Sequence, residues 1–375
     1  MSKIFSVFLT ICLFGTVYSQ SQYTSENPCD NAALLFNAKK YELAEVAYKS
    51  CIKTDPENPK TWYYLGNCVY NLKKYDEAIQ AYDKALATDP GYSNALLRKG
   101  YTQLGMDRYE DCIATLSLLL NQDPSQIKAF QYRGAAYMKS GQNEQAIRDF
   151  DSVIQYSDPL YSNFLNRGLC KLKISDKLGA LSDFRAASDL KPGEFTPIAE
   201  RVRIYMSLQM WEEGIADASL ALARNPADVD MYFCRGYAKL MRNDVNGADL
   251  DFNICLQLDP NHLQALKNKV GATVSMQKYD EAIMDLTNLI KKDSKNANLY
   301  LQRGNCFLAA KCFDKALGDY SQAIKIKKDF GEAYFNRANI YTNTQNKQQA
   351  CKDMQYAAEI GYAPANAYVV LLCKD

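Results

Sequence analysis

Pro59–Tyr92 reads PKTWYYLGNCVYNLKKYDEAIQAYDKALATDPGY, and its residue types return in the same places when the chain is written in rows of 34 from Ser25 to Pro364. Ten rows follow one another without insertion or deletion: 25–58, 59–92, 93–126, 127–160, 161–194, 195–228, 229–262, 263–296, 297–330 and 331–364. Helix formers dominate and strand-like alternation is absent. A fixed period of this length denotes stacked helix pairs, each burying its apolar face only against its neighbours, so repeat count replaces domain count. The expected function of such an array is to hold other proteins, not to catalyse.

Physical causes stand behind the columns of this grid. Column 8 is small in most rows (Ala32, Gly66, Gly100, Gly134, Gly168, Gly236, Gly304, Ala338), which lets the first helix of a pair approach the second. Column 20 repeats the device with Ala44, Ala78, Ala146, Ala180, Ala248, Ala282, Ala316 and Ala350. Proline at column 32 (Pro56, Pro90, Pro124, Pro192, Pro226, Pro260) cannot continue a helix interior and marks the turn into the next row. Val202, Val270 and Gly214 depart from the pattern, so rows 6 and 8 are expected to pack more loosely. Residues 365–375 read as a capping helix.

In the quoted row, Trp62, Leu65, Gly66, Ala78, Tyr82, Ala85 and Pro90 fall where the tetratricopeptide repeat (TPR) pattern places them; Val69 is the one clear lapse. The chain resembles a TPR protein over about nine-tenths of its length. The resemblance implies an all-α, right-handed α-solenoid of about ten repeats. The ending, with Ala350-Cys351-Lys352-Asp353, Ala357-Ala358, Ile360-Gly361 and a near-terminal Cys373, loosely resembles exported envelope TPR proteins of Bacteroidetes type.

Residues 1–19 follow another pattern: Lys3 as a positive start, an apolar run from Ile4 to Gly15, then Val17-Tyr18-Ser19 as a small-residue cleavage site. They predict a secretory signal cut before Gln20, with 20–24 a short N-terminal segment. The apolar run is shorter than the roughly 20 residues a spanning helix needs. Cys12 lacks the small preceding residue of a lipoprotein, so no lipid anchor is expected. The location implied is periplasmic, extracellular or envelope-associated, or the ER lumen or secretion in a eukaryote. With 44 basic and 43 acidic residues and no basic run, neither nucleic acid nor an anionic membrane is an expected partner.

Twelve cysteines less Cys12 leave an odd number, so one thiol stays free or pairs with another chain. Cys51, Cys68, Cys112, Cys170, Cys255 and Cys306 stand in packing columns and read as small hydrophobes. Cys351 and Cys373 are candidates for a disulfide that would staple the C-terminal end, and Cys29 with Cys51 is a weaker candidate at the other end. His262 is the only histidine, placed in an inter-repeat turn and read as a solvated loop residue. Zinc spacings, Cys-x2-Cys pairs and a Gly-rich phosphate loop are all absent, so no enzyme, metal or cofactor is expected.

One charged pattern is specific to this chain. Column 7 carries Arg133, Arg167, Arg201, Arg235, Lys269, Arg303 and Arg337 in rows 4 to 10. Column 23 of those rows carries Asp149, Asp183, Asp217, Asp251, Asp285, Asp319 and Asp353. Rows 1 to 3 lack the pair (Asn31/Ala47, Leu65/Ala81, Lys99/Thr115), and columns that switch together imply contact, because a lone buried charge is costly. The expectation is an internal ladder of ion pairs, within or between repeats, that fixes helix register.

By the TPR resemblance, partners bind the inner face lined by columns 2, 5, 9, 12 and 13. Here that face holds Tyr63, Asn67, Tyr70, Leu97, Tyr101, Met138, Leu165, Leu169, Arg203, Met206, Phe233, Tyr237 and Lys267. It is apolar and rich in tyrosine, and it lacks the full lysine and asparagine set of a carboxylate clamp; Lys267 is followed at column 9 by Gly271. The function expected is a non-enzymatic scaffold or adaptor binding a partner protein segment in this groove, as part of an envelope or secreted assembly. The alternatives are a chaperone-like holder of unfolded chains and an accessory subunit of an envelope enzyme.

Overall fold

The computed structural model describes residues 28–373, which hold 21 α-helices and no strand. The expected signal, 1–19, and the segment 20–24 lie outside the described residues. Two compact units divide between Pro192 and Gly193. The first contains α1 (Pro28–Asn37), α2 (Tyr41–Thr54), α3 (Pro59–Asn71), α4 (Tyr75–Thr88), α5 (Ser93–Gly105), α6 (Tyr109–Gln122), α7 (Ile127–Lys139), α8 (Asn143–Tyr156), α9 (Tyr161–Lys173) and α10 (Lys177–Leu190). The second contains α11 (Phe195–Ser207), α12 (Trp211–Leu222), α13 (Val229–Met241), α14 (Val245–Leu258), α15 (Leu263–Ser275), α16 (Tyr279–Lys292), α17 (Ala297–Ala309), α18 (Phe313–Ile326), α19 (Gly331–Asn343), α20 (Lys347–Glu359) and α21 (Ala365–Leu372). Within each unit, consecutive helices pack as pairs and pair packs on pair, which is an α-solenoid. Helices of 13 or 14 residues are marginal alone in water, so this packing is what holds them.

Each pair turns through a left-handed residue at column 15. Lys39, Lys73, Asp107, Ser175, Gln209, Asn243, Gln277, Lys311 and Gln345 have φ of 57–66°, and the tenth position is Gly141. The next amide donates back to the carbonyl five residues earlier, as in Lys74 N to Val69 O at 2.9 Å and Cys312 N to Phe307 O at 2.8 Å. This closes the first helix and reverses the chain in three residues. Only one of the ten turns uses glycine, so the other nine carry the cost of a side chain in the left-handed region.

Column 8 meets column 24 across each pair. A Cβ added to Gly66 would lie 2.5 Å from the Tyr82 ring, and one on Gly168 or Gly304 would lie 2.8 or 2.7 Å from Phe184 or Tyr320. The looser packing expected of row 6 does not occur. There the volumes are exchanged, Val202 facing a row whose column 24 is Ala218, and both are fully buried. In row 8 both positions are large, Val270 and Leu286, and they share one buried cluster. All eight column 20 alanines are fully buried.

The charged columns do meet. Arg133, Arg167, Arg201, Arg235, Arg303 and Arg337 each donate from Nε and Nη2 to the two oxygens of the aspartate sixteen residues on, at 2.5–3.0 Å. Lys269 Nζ lies 2.8 Å from Asp285 Oδ2. The seven aspartates are 1–7% exposed, so each is a buried anion that needs its partner. Hydrogen bonding to Asp251 holds the Arg235 guanidinium above its usual range against the opposing effect of burial. The arginines grip within their own repeat and also between repeats: Nη1 reaches back sixteen residues to the preceding pair, in four of five rows to a hydroxyl instead of an acid. Arg133 donates to Ser117 at 3.0 Å, Arg167 to Asp151 at 2.7 Å, Arg235 to Ser219 at 3.2 Å, Arg303 to Thr287 at 3.0 Å and Arg337 to Ser321 at 3.0 Å. In row 3, Lys99 makes only this backward contact, with Asp83 at 2.6 Å.

Disulfides link Cys351 to Cys373 and Cys29 to Cys51, with Cα atoms 5.3 and 5.2 Å apart. The second corrects the reading of Cys51 as a free packing residue; it is bonded across the first pair. Cys68, Cys112, Cys170, Cys255 and Cys306 are buried thiols, and burial pushes Cys112 up to about 12 and Cys170 up to about 11. Among the described residues Cys312 is the exposed thiol. The last helix, α21, packs through Ala365 and Val369 but leaves Tyr368, Val370 and Leu371 exposed.

Arg303→Ala strands Asp319 and is expected to cost about 3–5 kcal/mol in chemical denaturation followed by circular dichroism. Arg235→Ala should cost less, because Lys239 Nζ remains 2.8 Å from Asp251. Lys99→Ala faces the half-exposed Asp83 and should cost under about 1 kcal/mol. Equal midpoints for all three would overturn this account of the ladder. Replacing Cys351 and Cys373 by serine opens a link of 22 residues, expected to cost about 3 kcal/mol. Alkylation of the native protein, mapped by mass spectrometry, should reach Cys312 before the buried thiols.

Candidate protein-binding face

The residues expected on the inner face come from the first helix of each pair, and each unit presents its own set. In the first unit the face is a run of tyrosine rings. Tyr70 (α3) contacts Tyr101 (α5) at 5.9 Å between centroids, and Tyr101 contacts Tyr132 (α7) at 4.9 Å. Arg98 lies 5.9 Å over Tyr70. Burial first, and then the neighbouring Tyr101 hydroxyl, pushes the Tyr70 hydroxyl up to about 12. Tyr63 closes a second group with Tyr64, Tyr82 and Tyr92. Leu97, Met138, Leu165 and Leu169 are half-buried.

Asn67 does not belong to this face. It is 3% exposed, and its Oδ1 accepts from Tyr82 Oη at 2.9 Å, so its amide is part of the core. Tyr132 and Arg98, by contrast, were not anticipated on it. Both stand in column 6, one turn from the columns taken to line the face, and side chains three or four apart share a helix surface.

The second unit is built differently. Phe233 contacts Tyr237, Phe252 and His262, with centroids 4.8 Å apart in the last case. His262 is therefore not a solvated loop residue. It is half-buried, and its Nδ1 accepts from Ala265 N at 3.1 Å, capping α15. Met206 is half-buried, while Arg203 is exposed and pairs with Glu200 at 2.6 Å. Lys267 is exposed and makes no ion pair among the described residues. Beside it a cavity of about 430 Å³ opens between α15 and α17, walled by Val270, Gly271, Val274, Tyr279 and Cys306, with Gln302 and Asn305 as polar lining. A second space, of about 520 Å³, lies by Lys269 and Asp285 with Asn253 and Asn288 in its wall. No cluster of three or more His, Cys, Asp or Glu is placed to hold a metal ion among the described residues.

Residues 17–160 match the TPR domain of cytochrome c-type biogenesis protein H, and residues 272–330 and 331–360 match tetratricopeptide repeat models. Tetratricopeptide repeat protein 6 of Homo sapiens is 28% identical over 153 residues, which is 40% of this chain and 28% of that protein. DnaJ homolog subfamily C member 7 of Homo sapiens is 25% identical over 186 residues, 43% of this chain and 37% of that protein. The chain thus spans well under half the length of these relatives. The C-terminal part of a TPR repeat-containing protein from Cytophaga hutchinsonii has the same fold, with a TM-score of 0.54 at 17% identity over 63% of this chain and 97% of that one. From the column pattern, the stacked helix pairs and these matches together, the chain is a tetratricopeptide repeat protein.

Proposed function

We propose that the chain is a non-enzymatic scaffold that holds a segment of a partner protein on the tyrosine-rich face of its first helices. The observation that carries this reading is the half-buried ring run Tyr70–Tyr101–Tyr132. Tyrosine supplies a broad, stiff contact surface with a wet polar tip, and buried aromatic anchors dominate interface energies. TPR repeats in general serve protein–protein interaction, which supports the coarse assignment; the partner itself is set by the face.

We place the scaffold outside the reducing cytoplasm, in the periplasm, the envelope or the extracellular space. Both disulfides sit at the ends of the array, where they tie down the helices most prone to fray, and such bonds persist in oxidising compartments. The leader-like residues 1–19 and the match to a cytochrome c-type biogenesis TPR domain support the same location. No helix among the described residues is long and apolar enough to cross a membrane.

Photo-crosslinking amino acids at Tyr101 and Phe233, in protein expressed in its native host, should capture a protein partner. The same probe at the exposed Leu250 of α14 should not. Tyr101→Ala should weaken capture about tenfold, an anchor's share of about 1.4 kcal/mol. Crosslinks formed from Leu250 alone would sink the proposal.

A further inference from the structure

Row 8 is the one row among 4 to 10 whose ladder base is a lysine, and its neighbours show what an arginine does at that place. Arg235 and Arg303 each meet three groups: the aspartate of their own pair, a hydroxyl of the preceding pair (Ser219 or Thr287), and the column 4 ring of Tyr232 or Tyr300. Row 8 keeps one of the three. Lys269 meets Asp285 with a single nitrogen, Leu266 replaces the ring, and Asn253 stands where Ser219 and Thr287 stand in their rows. The space of about 520 Å³ lies at this point, walled by Asn253, Leu256, Leu266, Lys269 and Asp285. A smaller space, of about 200 Å³, marks row 2, where column 7 is Leu65. In both rows the seam is open where the sequence supplies no guanidinium.

Row 8 nonetheless retains the acceptors that a guanidinium uses. Asp285 is 7% exposed, and Lys269 Nζ stands 2.8 Å from its Oδ2 without the alignment of a hydrogen bond. Neither this carboxylate nor the Asn253 carboxamide makes a hydrogen bond among the described residues. Buried acceptors left in this way are costly, and they call for a ligand rich in donors. A second cation at Asp285 is compatible with the lysine already there. Asp183 takes both Arg167 and Lys171, and Asp251 both Arg235 and Lys239, with the ammonium at 2.9 and 2.8 Å. Of the other bases in the wall, Lys292 is held by Pro260 O and Asn261 Oδ1, and Lys291 is exposed, where solvent screens its charge.

We propose that this space is a guanidinium site, filled by an arginine side chain of a peptide or by a small guanidinium compound. The planar group donates along one edge to Asp285 and along the other to Asn253 Oδ1, as Nε, Nη2 and Nη1 do in the arginine rows. The methylene stem lies over Leu256 and Leu266. An arginine supplied from outside thus completes the ladder at the row that leaves it open. The site is walled mainly by the second helices α14 and α16 and goes beyond the scaffold reading, since it does not use the tyrosine face.

The test uses the full chain and fluorescent 12-residue Gly/Ser peptides, blocked at both ends, with a central arginine, citrulline or lysine. The arginine peptide should bind, the citrulline peptide at least tenfold more weakly, and the lysine peptide at least threefold more weakly. Lys269→Arg supplies the guanidinium from the chain itself, so it should raise the thermal midpoint and weaken the arginine peptide at least tenfold. Asn253→Asp copies Asp151, which accepts from Arg167 at 2.7 Å, and should tighten the arginine peptide at least threefold while leaving the space open. Acetyl-arginine amide, used as competitor, separates the two sources. Displacement at concentrations similar to the peptide's assigns the guanidinium alone, and displacement only at a hundredfold excess assigns the peptide-borne side chain. Equal binding of the citrulline or lysine peptide, undiminished binding by Lys269→Arg, no tightening by Asn253→Asp, or no binding of either arginine ligand would overturn the assignment.

Discussion

A guanidinium placed between three helices is the interaction on which the stack depends. In five rows the arginine on a first helix holds its own pair together through the aspartate sixteen residues ahead and ties that pair to the previous one through a hydroxyl or carboxylate sixteen residues behind. The net gain of such a buried pair over apolar packing is small, because two charges must first leave water. Its geometry is demanding, however. Sliding one helix by a turn moves the donors by 5.4 Å and breaks every contact at once. The ladder therefore selects one register more than it adds stability, and a planar guanidinium with five donors can do this where an ammonium cannot.

Volume conservation imposes a second constraint at columns 8 and 24. The two helices of a pair approach so closely that one column must be small wherever the other is large. Gly66 with Tyr82 and Gly168 with Phe184 satisfy it in one sense, and Val202 with Ala218 in the other. Row 8 satisfies neither rule. It combines Val270 with Leu286 and replaces the arginine by Lys269, which grips Asp285 through a single nitrogen. Cavities lie on both sides of this row, of about 430 and 520 Å³.

The helices and the ladder partners were legible in the sequence because both repeat with the period of the structure. Buried alanines, turn prolines and charges spaced by sixteen residues recur in eight, six and seven of the ten rows, which leaves columns that a single chain displays. Most left-handed turn residues were not legible: Lys73, Ser175 and Gln209 carry no signature of positive φ, whereas Gly141 does and Asp107 and Asn243 tolerate it. The partners of the backward arm were missed because Ser117, Ser219, Thr287 and Ser321 read as ordinary polar residues of a helix surface. Cys51 looked chiefly like an alanine substitute because its column is a packing column, so its pairing with Cys29 stood only as the weaker of two candidate disulfides. Asn67 and His262 misled for one reason: a polar side chain at an apparently open position can be taken up by a neighbour, here Tyr82 or Ala265 N.

Each unit finishes the surface of its own first helices in its own way. In the first, Tyr70, Tyr101 and Tyr132 seal the seams between successive first helices, so a ligand meets a continuous surface of ring edges and hydroxyls. In the second, columns 9 and 12 of α15 carry Gly271 and Val274, with no ring long enough to cover the seam to α17. The hole left there has fixed walls, since Asn305 is held by Tyr320 and Asn336. A rigid recess beside an unpaired lysine loses little entropy when it is filled, whereas the sealed tyrosine surface gains by area.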